Sequence, residues 1–252
     1  MKKGISFIAA LVLVLSVFTL PASAQPLTLG QSLVGEAAYP NGSTVDNAKF
    51  LLTYAYPQIV PETEADQNIN IYYQEMADDL LRETAPMLYE QAGAGMDAEI
   101  SAYMHISHQV TANTDDFFSV VLSWEEFMGV AESQTIAANV FARTGENAGG
   151  IITLPTVLGF SDEVDATNLV DTVYRLVWDI IVEQMQTGSV EYFEELTEEN
   201  LFLEFYPETD FYLDDQGNIV FFVQPSTIAS GAAGLLTFPF SPAELTSEMS
   251  KG

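Results

Sequence analysis

The 252-residue chain contains no cysteine, which excludes a disulfide framework, a lipid-modified cysteine and thiol catalysis. Its fold must be held by a hydrophobic core. Basic side chains are scarce: seven Lys and Arg stand against 36 Asp and Glu, with two His. Also missing are a Gly-x-Ser-x-Gly elbow and a Gly-rich phosphate loop opening a helix, which removes the familiar serine-elbow and P-loop chemistries. Beyond one apolar run near the N-terminus, no stretch has the length and apolarity of a membrane span.

That run has the layout of an export signal. Lys2 and Lys3 precede the uncharged segment from Ile5 to Leu20, and Pro21-Ala22-Ser23-Ala24 ends in the small-x-small pattern that signal peptidase cuts. The expectation is a cleaved leader over residues 1–24, Gln25 as the mature N-terminus, a secreted or wall-associated protein and no membrane attachment after cleavage. The leader carries two Lys and no acid, so its removal leaves five basic side chains against 36 acidic ones and moves the net charge from −29 to −31. A field of that sign repels nucleic acid, teichoic acids and anionic lipid, and attracts cations and basic proteins. It also serves solubility, as in a saline habitat.

Periodicity orders the mature chain as α+β. Lys49 to Val60 is rich in strand formers, with Pro57 marking an edge or a strand end. Ile69, Tyr72, Tyr73, Met76, Ala77, Leu80 and Leu81 follow helical spacing, with Asp78, Asp79 and Arg82 outward. Pro86, Gly93 and Gly95 predict a stop or kink there. Strand-like runs follow at 100–111, 117–127 and 135–141, then a turn-rich stretch from Arg143 to Gly150. A second helix is predicted over 167–185, with Leu169, Val173, Leu176, Val177 and Ile180 on one stripe and Asp165 or Asn168 as cap. Near the C-terminus, Asp215, Gln216 and Gly217 have the composition of a tight hairpin turn. In Ile219 to Val223 both alternating sets are apolar, as in a central strand covered on both faces.

Few residues carry chemistry. His105 and His108 are three apart on a predicted strand and so point to opposite faces, which makes them two ordinary histidines rather than a metal pair. The Asp214-to-Asn218 turn fails as a calcium loop, because Tyr212 and Val223 fall where carboxylates are required. No cofactor or metal signature is present. Glu125-Glu126, Glu194-Glu195 and Glu198-Glu199 could each supply a carboxylate pair for glycan hydrolysis, yet in so acidic a chain adjacent carboxylates usually form a solvated surface.

The hairpin, the Gly/Ala-rich loop from Gln224 to Gly234 and the run Leu235 to Phe240 together resemble the extracytoplasmic domain of lysozyme-responsive anti-sigma factors, which also occurs in some peptidoglycan deacetylases. Tyr56-Pro57-Gln58-Ile59, Asn68-Ile69-Asn70, Ser119 to Ser123, and Val140-Phe141 before Thr144-Gly145 extend the likeness into the first part. The resemblance implies a two-part unit, residues 25–160 and 161–252, with an antiparallel sheet packed against two main amphipathic helices. Two segments depart from the family pattern. Gly129-Val130-Ala131-Glu132 replaces Gly-Gly-Ala-His, and the loop at 226–234 keeps Ala232-Ala233-Gly234 but lacks the family's aromatic and acidic side chains. Neither a cytoplasmic sigma-binding domain ahead of the apolar run nor a metal-dependent deacetylase domain is expected. A secreted, non-catalytic ligand-binding module is expected instead, with a muramidase-like cationic protein or a wall fragment as partner. The competing classes are a glycan hydrolase with a carboxylate pair and an acidic structural envelope protein. Trp124, Glu125, Glu126 and Glu132 combine an aromatic anchor with local negative charge and are the candidate ligand contacts. Trp124 at strand spacing also suits a purely core role.

Overall fold

The computed structural model describes residues 26–93, 101–161 and 163–251; the expected leader, together with Gly95 and Ile100, lies outside them. The fold is mixed α+β. Strands β1 (Leu33–Tyr39) and β2 (Phe50–Tyr56) lead into helices α1 (Glu64–Asp79) and α2 (Ala85–Gly93), followed by β3 (Ala102–Asn113), β4 (Phe117–Phe127) and β5 (Glu132–Ala142). Then come α3 (Leu154–Val157), α4 (Glu163–Thr187), α5 (Glu198–Glu204), β6 (Phe211–Leu213), β7 (Ile219–Val223), β8 (Leu236–Phe240) and α6 (Pro242–Met249).

The first five strands form one sheet in chain order. The expected antiparallel sheet needs correction at one pairing, because β2 and β3 run parallel. The intervening chain forms α1 and α2, and such a helical crossover returns the next strand in the same direction. In β2, Phe50, Leu52, Tyr54 and Tyr56 are buried while the residues between them are half-exposed, the period-2 pattern of a sheet with one covered face. Pro57 follows directly and ends the strand. Strand β1 has no counterpart among the predicted runs, since Gly35, Glu36, Ala37 and Ala38 are poor strand formers. Its pairing with β2 supplies what propensity does not, and the Tyr54 ring lies across the bare backbone of Gly35, where a Cβ would come within 2.3 Å of it.

Helix α1 starts at a capping box. Asp66 N–H donates to Thr63 Oγ1 (3.1 Å), and the buried Asp66 carboxylate accepts from the N–H groups of Glu62 and Thr63. Of the stop or kink predicted at Pro86, the stop is absent: the helical path continues through an irregular turn. A π-helical turn at Leu80–Thr84 precedes α2, and Ala85 N–H reaches back to Leu80 O. Widening the ladder by one residue accommodates a ring that lacks an N–H and would clash four residues back. Helix α4 begins at Glu163, so Asp165 and Asn168 lie within it rather than capping it. Acidic Glu163 and Asp165 in its first turn suit the positive end of the helix dipole, so the helix begins ahead of its apolar stripe.

Two cores result. The first joins α1, the π turn and α2 to one face of β2, β3 and β4, through Ile69, Tyr73, Ala77 and Leu80 against Phe50, Ile106, Phe118 and Leu122. The second joins Leu169, Val173, Val177 and Ile181 of α4 to Ile219, Phe221 and Val223 of β7, the middle strand of a β6-β7-β8 sheet. It also takes in Ala112, Val140, Ala142 and Leu154 from the earlier part of the chain. Leu213 N–H donates to the buried Ser119 Oγ (3.0 Å), and the Gln224 side chain exchanges two hydrogen bonds with the Ile136 backbone (2.9 and 2.8 Å). The C-terminal part is thus sewn to the large sheet near its β4–β5 side.

Candidate functional site

Residues 118, 120 and 122 of β4 point into the first core, and strand alternation carries Trp124 and Glu126 onto the same, helix-covered side. Glu125 lies on the opposite face, where its registered neighbours are His105 on β3 and Gln134 on β5. Glu132 shares that outer face and accepts a hydrogen bond from Tyr103 (2.8 Å), whose ring stacks on Phe127. The four candidate contacts are therefore divided two and two by the sheet. Glu126 accepts from Ser133 (3.2 Å) and Glu125 is exposed, so the Glu125-Glu126 pair cannot address one bond from one side. Glu198 and Glu199 stand in the first turn of α5.

Trp124 is half-buried at the end of the helix-covered face, where the α1-to-π-turn segment leaves the sheet. Together with Tyr56, Tyr72, Glu75, Met76, Asp79, Leu80 and Thr84 it lines a recess of about 340 Å³. Each element contributes for a local reason. Tyr56 is the last inward residue of β2, set by the Phe50-Leu52-Tyr54-Tyr56 alternation. Tyr72, Met76 and Leu80 occupy one helical face at spacings of four, and Glu75 and Asp79 follow the neighbouring row toward solvent. Asp79 is paired with Arg82, one turn on.

Two polar atoms in this wall have no hydrogen-bond partner in the protein: the Tyr56 hydroxyl and the Trp124 indole N–H, both buried. Leaving such groups unmatched costs about 1–3 kcal/mol each. The neighbouring polar groups do not relieve them, since the Tyr73 hydroxyl is taken by Asn139 Nδ2 (3.3 Å). Burial, with smaller contributions from Tyr54 and Tyr72, pushes the Tyr56 hydroxyl well above the ordinary phenol range, so it keeps its proton and remains a donor. Tyr56 also stacks on Tyr73, with ring centroids 5.7 Å apart. The recess thus has aromatic and apolar walls and two carboxylates toward solvent, and the two unmatched donors belong to wall residues but are enclosed by protein.

The histidines lie apart from it. His105 Nδ1 meets Thr53 Oγ1 (2.7 Å) on the outer face, whereas His108 Nδ1 donates to Ala55 O (2.8 Å). Among the described residues no cluster of three or more His, Asp and Glu could hold a metal, and no helix is long and apolar enough to cross a membrane. Sequence reading found Trp124 but missed Tyr56, Tyr72, Glu75 and Asp79 as its companions. A usable signal was present: Tyr54 and Tyr56 place hydroxyls on the alternating face that Phe50 and Leu52 mark as buried.

Residues 160–241 match the model of a family described as "Protein of unknown function (DUF3298)". No curated protein matches. Two crystal structures resemble the whole fold. One is a DUF3298 family protein of Pseudomonas aeruginosa PAO1, 12% identical with a TM-score of 0.57 over 88% of this chain and 94% of that one. The other is a DUF3298 family member from Bacteroides fragilis NCTC 9343, 15% identical with a TM-score of 0.51 over 91% of this chain and all of the other. At these identities the likeness establishes the architecture.

Proposed function

We propose that the protein is a non-catalytic binding module acting outside the cell, and that it takes its ligand in the recess between β2, β4 and the α1–π segment. The observation that carries this reading is the recess itself, which gathers Tyr56, Tyr72 and Trp124 with Met76 and Leu80 from three separate elements. Binding sites are concave and mostly apolar with a few placed polar groups, and about 340 Å³ lies at the small end of the usual range. The export pattern at residues 1–24 supports work beyond the membrane. The resemblance to the extracytoplasmic domain of anti-sigma factors and deacetylases suggests a muramidase-like cationic protein or a wall fragment as ligand. Of the two recess carboxylates, Glu75 and Asp79, the second is ion-paired with Arg82 at the surface.

The test is the mature chain, labelled with 15N, titrated separately with a lysozyme and with a soluble digest of bacterial wall at physiological salt. The indole N–H resonance of Trp124, assigned by its loss in Trp124→Phe, should shift saturably with one of the two while that of Trp178 stays in place. If neither moves the Trp124 signal, the recess is not a binding site for these partners and the reading is abandoned.

A further inference from the structure

We infer that the protein carries a second docking surface, sharing no residue with the recess, which takes a basic amphipathic segment of another protein. It lies where the C-terminal end of α4 runs through residues 188–197 into α5. That connection is pinned from beneath: Phe193 N–H donates to Ile228 O (3.0 Å), Tyr192 forms a bridge with Ala229, and Tyr192 and Leu196 pack on the second core. Helix α5 is short and turns Leu201 inward, which leaves Phe202 and Leu203 outward. Phe202 finds the Tyr174 ring, with centroids 4.0 Å apart, whereas Leu203 is 64% and Phe193 41% exposed. Two depressions of about 470 and 210 Å³ meet here, with Phe193 and Leu196 in the wall of both, Met185 in the first and Leu203 in the second. Exposed apolar side chains gathered along a groove mark an interaction surface.

Charge selects the occupant. Glu191 and Glu194 border the first depression, Glu195 and Glu204 the second, and all four are exposed. Between Arg175 and Lys251 the sequence holds no Lys, Arg or His, and those two both pair with Glu248. A second copy of the chain, or an anionic surface, meets repulsion at these rims. A purely cationic partner leaves the apolar floor in water. A segment with Lys or Arg on one side and large apolar side chains on the other answers both. Its cationic groups meet the rim carboxylates, and successive apolar anchors, three or four residues apart on one helix face, enter the two depressions.

The probe is an amidated amphipathic helix of Leu and Lys, about 18 residues long, beside a scrambled isomer of the same composition and a counterpart with Glu for Lys. Calorimetry of the mature chain at about 0.15 M salt should give the amphipathic helix a Kd at least tenfold below those of the other two. Amide shifts of the 15N-labelled protein should gather in residues 190–204 and leave the Trp124 indole in place. Leu203→Asp should weaken binding at least tenfold, although it adds a negative charge and attraction by charge alone predicts the opposite. Phe193→Ser should act likewise, both with melting temperatures near the parent's, since both side chains are exposed. Replacing Glu191, Glu194 and Glu195 by Gln should weaken binding at least fivefold. The charge-matched variant Glu36→Gln, Asp46→Asn, Glu90→Gln, changed at exposed positions in the first part of the chain, should weaken it less than twofold. Equal binding of the scrambled isomer, or undiminished binding by Leu203→Asp and Phe193→Ser, would overturn the assignment as non-specific attraction. Shifts at Trp124 instead of residues 190–204 would overturn it while supporting the recess. A dimer in sedimentation that Leu203→Asp dissolves would give the groove to a second copy and overturn it as well. No binding of the amphipathic helix ends the assignment and leaves the recess reading to its own test.

Discussion

Asp210 is the buried carboxylate with the clearest consequence for solution behaviour. It is 9% exposed, and its Oδ2 accepts the Tyr206 N–H (2.8 Å). Burial raises its pKa from 3.8 to about 6, helped by the nearby Glu208 charge and opposed by the bonds from Tyr206 and Thr209. The folded protein therefore holds a proton that the unfolded chain releases between about pH 4 and pH 6. Stability from this group is present below pH 4, falls as pH rises through that window and is flat above it. Asp210→Asn keeps a carbonyl acceptor for the Tyr206 N–H and cannot ionise. Denaturant unfolding at a series of pH values should show the variant gaining on the parent by up to about 3 kcal/mol between pH 4 and pH 7, since each tenfold change in the ionisation constant is worth about 1.4 kcal/mol. A gap that stays constant with pH would show that Asp210 ionises as it does in the unfolded chain.

Among the elements, two turns use glycine for different reasons. The β6–β7 hairpin is organised by Asp214, whose Oδ1 accepts the N–H groups of Gln216 and Asn218 (2.9 and 2.8 Å), and Gly217 has φ +81° with open space where a Cβ would stand. Gly149 has nearly the same φ, +83°, but a Cβ there would lie 2.7 Å from the Ala65 carbonyl oxygen at the start of α1. Gly217→Val should thus cost only the backbone strain of a left-handed residue, roughly 1–2 kcal/mol. Gly149→Ala adds a clash with a helix backbone that cannot move aside cheaply, and it should lower the melting temperature further despite the smaller side chain. Thermal unfolding of the two variants decides the order; equal losses would mean that α1 yields at its N-terminus. The turn at Gly217 was legible because Asp, Gln, Gly and Asn between apolar runs leave few alternatives. The approach of Gly149 to α1 joins residues more than 80 positions apart, and no local pattern records it.

Across the whole molecule, charge dominates. With 36 acidic and seven basic side chains, much of the surface repels itself in the compact state. Ion pairs lie at the surface: Arg82 with Asp79, Lys251 with Glu248, and Arg175 with Glu248, the last joining α4 to α6. Pairs of this kind contribute about 0–1 kcal/mol and offset little of the repulsion. Added sodium chloride should therefore raise the melting temperature, most steeply below about 0.15 M, where the screening length shortens to about 8 Å. Glycerol at matched osmolality serves as the control. A melting temperature that falls or stays level with salt would mean that repulsion does not limit the fold.

By itself the sequence determined the α+β class, helical segments where α1 and α4 lie, the three strands of the β3–β5 meander and the C-terminal hairpin. Each of these rests on a period of 2 or 3.6 or on turn chemistry, which neighbours along the chain express. It also placed Trp124 among the candidates. Tertiary structure alone decided that β2 and β3 run parallel, that β1 pairs at all, and that Pro86 is absorbed by a π turn. It alone separated Glu125 and Glu132 from Trp124 and Glu126 across the sheet, and it alone brought Tyr56 and Trp124 into one recess beside α1. These outcomes depend on contacts between distant segments, where burial and pairing override local preference. The meeting of Tyr56 with Trp124 beside α1 is the part of the site that no local pattern in the chain announces.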